Sequence, residues 1–245
     1  MNWRHVVFLL LAALSLRADP ALDSARQAQQ MLGSSVWSQV LRITNESPDE
    51  RYPAAVHALV FETADILWLY VAGEGTQSLS QHIGRVEKDK LELDRLLRAI
   101  APGFVHHEIV PADAHVPVGS GSLLNGCFIE SLVALRDRIA LGEFVAAARL
   151  FTYYANVRGK MAGHTVLVYE TPGQTFVLDP AVDRTPRVVP AKVTQGKDAF
   201  VRWLRPDLRI VQTRELAVLA VRSEQLYANE NRAAERHGHR QTGKL

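Results

Sequence analysis

The chain has 245 residues and only one cysteine, Cys127. A single thiol cannot close an internal disulfide, so no disulfide framework holds this fold. Neither sign of charge is in excess. Twenty-eight basic residues stand against 26 acidic ones, and Arg4 and Arg17 lie in the first 18 residues, so the remainder is balanced. A balanced chain has no bulk field to recruit nucleic acid, and none is expected as a partner. Beyond the first residues there is no apolar run near the ~20 residues that cross a bilayer. Internal repeats and low-complexity stretches are also missing, which excludes solenoid and fibrous classes.

What is present begins at the N-terminus. Met1-Asn-Trp-Arg-His leads into Val6 to Leu16, an almost unbroken apolar run of signal-peptide length, with Ala18 as a small residue before Asp19. A signal peptide is therefore expected over 1–18, with a retained anchor as the alternative. No cysteine lies near that point, so a lipid-anchor thiol is absent. The expectation is a secreted or periplasmic protein with no membrane span after signal removal. Exported proteins usually carry cysteines in pairs. A lone one is a buried hydrophobe, an intermolecular link or a reactive thiol.

The pattern predicts a helix over 21–43, strands over 56–62 and 66–71 around a Thr63-Ala64-Asp65 turn, and a loop at 73–76. An amphipathic helix follows over 83–100, stopped by Pro102-Gly103, then a strand over 104–110 and a long Pro/Gly/Ser loop over 111–126. Next come helices over 127–141 and 143–157, then strands over 164–170 and 175–179 and a short strand at Val188-Val189. A helix over 198–203, a strand over 208–212 and a last helix over 213–229 complete the chain. Helices before strands favour α+β over alternating βαβ units. The domain reading is a helical extension over 19–55, a catalytic domain over 56–229 and a flexible tail over 230–245.

Cys127 lies in the segment Gly119-Ser-Gly-Ser-Leu-Leu-Asn-Gly-Cys-Phe-Ile-Glu, where it opens an apolar helix. Asn125 reads as its N-cap. A helix start offers unsatisfied backbone N–H groups and the positive end of the dipole, and both favour thiolate. The same N–H groups suit an oxyanion. Downstream, Thr171-Pro-Gly-Gln174 separates two strands. A four-residue loop is preferred over a two-residue Pro-Gly turn, whose twist suits a hairpin poorly. Both give one register, with Val166 opposite Asp179 and His164 diagonal to Asp179 on the same face. Cys127, His164 and Asp179 are thus the expected catalytic triad: imidazole takes the thiol proton and carboxylate holds the imidazole.

Gly126-Cys127-Phe-Ile-Glu130, Gly163-His164-Thr-Val-Leu-Val and Phe176-Val-Leu-Asp179-Pro180 together resemble the transglutaminase-like branch of the papain-like cysteine protease superfamily. Thr165 and Val166 stand where many members carry an aromatic. The resemblance implies a core with the nucleophile at the N-terminus of a central helix packed on an antiparallel sheet. It also implies thiol acyl chemistry on peptide or other amide bonds, without choosing a peptidase, an amidase or an amine transferase.

Gln77 and Asn125 are the candidates for a second oxyanion donor. Asp183 is an alternative orienter of the imidazole, but lies beyond Pro180. His106-His107 and His115 flank the long loop, yet neighbouring strand residues face opposite ways, so no metal or cofactor is expected. His237 and His239 lie in the tail. Trp37, Trp68 and Trp203 read as core anchors. Ser120 and Ser122 lack the strand-to-helix context of a serine nucleophile. The expected partner is a peptide, protein or cell-wall peptide substrate. The alternative outside enzymology is a cell-envelope binding module with a vestigial triad.

Overall fold

The computed structural model describes residues 19–46, 54–79, 90–101, 103–111, 123–194 and 196–220. The expected signal peptide, residues 80–89, His115, Ser120, Ser122, the end of the last expected helix and the tail with His237 and His239 lie outside them. The fold is α+β with two antiparallel five-stranded sheets. The chain divides into two compact units, Met1–Ile129 and Glu130–Leu245.

In the first unit, α1 (Pro20–Leu32) starts at Asp19, whose Oδ1 accepts from the N–H groups of Ala21 and Leu22 at 2.9 and 3.2 Å. With Pro20 in the first turn, this is a preorganised helix start. The same carboxylate meets His57 Nδ1 at 2.6 Å. The helix ends at Gly33, and Ser38–Asn45 is β1, not a continuation of helix. The expected helix over 21–43 is therefore corrected: it ends at Leu32. β1 pairs with both β2 (Ala55–Thr63) and β5 (Phe104–Ile109). Val40 and Leu41 are both buried, so β1 is covered on both faces. Such a strand loses the alternation that would have marked it.

The expected hairpin at 63–65 is present. β2 and β3 (Ile66–Val71) meet through Thr63 and Ile66, leaving Ala64 and Asp65 at φ 53° and 58° in a two-residue turn. Both central residues being left-handed is the type I′ geometry that matches strand twist. The expected loop at 73–76 is in part β4 (Gly75–Ser78), giving the sheet order β4-β3-β2-β1-β5. Across one face lies α2 (Lys90–Ile100), which seats Leu93, Leu96 and Leu97 on Leu41, Ile43, Val60 and Leu69.

The helix α3 (Cys127–Ala140) begins at the thiol, as expected. The following helix over 143–157 is corrected. Ala147–Val157 is β6, with Leu150 and Phe151 buried on opposite faces. In the second unit β6 lies between β10 (Ile210–Ala220) and β7 (Lys160–Thr171), and β8 (Gln174–Asp179) and β9 (Asp183–Val188) complete the order β10-β6-β7-β8-β9. The described start of the last expected helix is thus strand too. Its Leu- and Ala-rich residues favour helix, but pairing with β6 overrides that weak preference. The helix α4 (Lys197–Leu204) covers one face, placing Phe200 and Leu204 against Phe151, Val166, Val168 and Val177.

Candidate active site

Cys127 is the first residue of α3, reached through a tight turn. The Gly126 N–H donates to the Leu123 carbonyl at 3.2 Å, and a Cβ on Gly126 would lie 2.1 Å from Leu123 Cβ. Only glycine fits there. Asn125 has φ 54°, outside the extended geometry of an N-cap, and the helix starts two residues after it. The expectation that Asn125 caps α3 is corrected. Its side-chain amide donates instead to the Gly73 carbonyl, while Tyr70 Oη donates to Leu124 O at 2.9 Å and Gly73 N–H to the same carbonyl at 3.3 Å. These bonds tie the approach to Cys127 onto the β3–β4 turn. Gln77 lies on β4, two residues beyond Gly75, where an added Cβ would meet the Asn125 carbonyl at 3.4 Å. Behind the thiol, Phe128 packs on Trp68 and Phe61 at ring-centroid distances of 4.5 and 6.2 Å, which fixes the first helical turn.

In the second unit, Thr171 pairs with Gln174 around Pro172 and Gly173. The two-residue turn is the one used, contrary to the preference for four; Gly173 supplies φ 85°. The register is unchanged. Leu167 pairs with Leu178, so Val166 and Asp179 are the next positions outward. His164 and Asp179 then share a face, and His164 Nε2 meets Asp179 Oδ2 at 2.8 Å. The side chains are 24% and 18% exposed, so this hydrogen-bonded pair is shielded without being sealed. Asp183 does not compete: its carboxylate accepts from the Thr185 N–H at 2.9 Å.

One element of this site was missed in the sequence. Tyr153 stands directly across from His164 on β6, with its ring 5.5 Å from the imidazole. Its hydroxyl accepts from Arg205 Nη1 at 2.9 Å, and Arg205 also grips Asp207 through Nε and Nη2 at 3.0 and 2.8 Å. Burial raises the Tyr153 hydroxyl above its ordinary pKa, and neighbouring Arg205 only partly offsets this. Had 143–157 been read as strand, its pairing with 160–171 would have revealed Tyr153.

Ser131, one turn into α3, is fully buried, and its hydroxyl donates to the carbonyl of Thr165 at 3.4 Å. The other expected residues separate as their strand geometry requires. His107 is buried with Nδ1 on Asp94 Oδ1 at 2.6 Å, whereas His106 points to the exposed Glu108. Among the described residues no three His, Cys, Asp or Glu side chains gather as a metal site. Trp68 is core; Trp203 is half-buried under Arg187. Among the described residues no helix is long and apolar enough to cross a membrane.

No family model, curated protein or solved structure matches this chain.

Proposed function

We propose that the protein is an exported cysteine hydrolase or acyl transferase of transglutaminase-like, papain-like type, acting on peptide or other amide bonds through Cys127, His164 and Asp179. The observation that carries this reading is the His164–Asp179 pair at 2.8 Å, formed on one hairpin face. One fact about α3 supports it: Cys127 is its first residue, where backbone N–H groups have no intrahelical partner.

The chemistry follows from those groups. With Nε2 held by Asp179, Nδ1 is the nitrogen for the Cys127 proton. The thiolate attacks the amide carbon, and an S–C bond forms as the carbonyl π electrons move to oxygen. Backbone N–H groups of the first helical turn, with Gln77 or Asn125, stabilise that oxyanion. Its collapse breaks the C–N bond, and the imidazolium protonates the departing amine. Water, losing a proton to His164, then attacks the thioester, releasing an acid and the thiol. A primary amine in place of water makes the same cycle a transferase.

The test is alkylation of Cys127 by iodoacetamide at about pH 6, where an unassisted thiol with a pKa of ~8.5 is almost wholly protonated. Wild-type protein should react fast, and His164→Ala and Asp179→Asn should each slow it at least about tenfold. Rates that ignore both substitutions would remove the reading. Turnover of peptide amides, with and without a labelled primary amine, then separates hydrolysis from transfer.

A further inference from the structure

Tyr153 belongs to no part of the triad, yet it is nearly sealed, at 3% exposed, against the one histidine the triad needs. We propose that Tyr153, clamped by the Arg205–Asp207 ion pair, is a positioning residue that sets the plane and swing of the His164 imidazole. The proposal rests on the reading of His164 as the base.

The argument starts from what a His–Asp bond leaves undetermined. One hydrogen bond through Nε2 fixes one end of the ring; the imidazole is still able to rotate about that axis. A wall on one side removes the freedom. Tyr153 supplies it: the two residues are directly paired across β6 and β7, and their rings meet at 5.5 Å with planes inclined by 58°. A tilted aromatic neighbour is an attractive contact as well as a steric one.

The wall is itself held. Tyr153 Oη accepts from Arg205 Nη1 at 2.9 Å, and the guanidinium lies 5.9 Å from the Tyr153 ring centroid. Two parallel bonds to Asp207 fix the orientation of the guanidinium. Arg205 follows the last residue of α4, whose Leu204 and Phe200 pack into the sheet core. A core helix, an ion pair and a phenol thus form a chain of supports ending on the imidazole. A phenol serves here better than phenylalanine, because its hydroxyl gives Arg205 something to grip.

The test uses full-length 15N-labelled protein and the proton resonance of His164 Nε2–H, identified by its loss in His164→Gln. In wild-type protein the Asp179 bond should keep it visible and slow to exchange. Tyr153→Leu should broaden or abolish it and slow Cys127 alkylation roughly two- to tenfold, the range an aromatic contact supports. Tyr153→Phe, which keeps the ring and loses the hydroxyl that Arg205 grips, should fall between wild type and Tyr153→Leu in both. Arg205→Gln, at a partly exposed position, should weaken the resonance with little change in the melting curve. It decides the matter if Tyr153→Leu does not fold. A resonance unmoved in both Tyr153→Leu and Arg205→Gln overturns the proposal while leaving the triad standing. Alkylation indifferent to His164→Gln defeats the triad, and the resonance still judges Tyr153.

Discussion

Replacing Gly126 with alanine tests how the fold delivers the thiol. The added Cβ would stand 2.1 Å from Leu123 Cβ, and 2.8 Å from Leu123 Cδ1, against an ordinary contact of at least 3.4 Å. The shortfall, about 1.3 Å, cannot be relieved by a rotamer change, because a Cβ is fixed to its own backbone. The turn must open, at the expense of the Gly126–Leu123 hydrogen bond and of the seat of buried Leu123. Overpacking of this kind costs about 1–3 kcal/mol, and a backbone-anchored clash belongs at the upper end. A loss of about 3 kcal/mol lowers a melting temperature by roughly 6–12 °C in a chain of this size. Because Cys127 is the next residue, the shift also misplaces the sulfur, and a displacement near 1 Å can reduce a positioned reaction about 100-fold. Thermal melts followed by circular dichroism and iodoacetamide kinetics measure the two effects. Gly173→Ala is the control. It has φ 85° with nothing within 4 Å, so it should lose only the ~1–2 kcal/mol of left-handed strain and leave alkylation unchanged. Gly126→Ala melting and reacting like wild type would refute the crowding argument.

Asp94→Ala strands His107, 1% exposed, without its partner, and should cost about 3–5 kcal/mol in urea unfolding, the range for breaking a buried pair. Asp19→Ala removes the helix cap of α1 and should cost about 1 kcal/mol by the same measurement. Burial, and then the charge of Glu143, push the Tyr169 hydroxyl up to about 12, above its ordinary 10. The unfolded chain therefore loses this proton first, so stability should fall as pH rises from 10 to about 12. Urea midpoints at either end of that window should show the fall, and Tyr169→Phe should flatten it.

The sequence was most legible where side chains alternate or turns punctuate. The 63–66 hairpin, α2's apolar stripe, α3's start and the His164–Asp179 register were all readable from residue types. Three strands have sequences that resemble helix for related reasons. β1 and β6 carry adjacent buried residues, Val40-Leu41 and Leu150-Phe151, so period two disappears and a short apolar run reads equally as helix. The second half of β10, residues 215–220, is rich in Leu and Ala, and only its partner strand makes it extended. Tyr153 was illegible for the same reason, since a residue placed on the wrong element cannot be matched across a sheet. At the Pro172-Gly173 turn, glycine's left-handed φ allows the tight connection that twist alone disfavours.

Ala64 at φ 53° and Asp65 at φ 58° hold a turn that neither side chain prefers as asparagine or glycine would. The molecule thus keeps an untapped reserve at this tip: an Asn-Gly pair there, outside every element of the site, would toughen the first sheet while leaving the chemistry alone. Anyone needing a sturdier version for crystals or for long incubations would begin with those two positions.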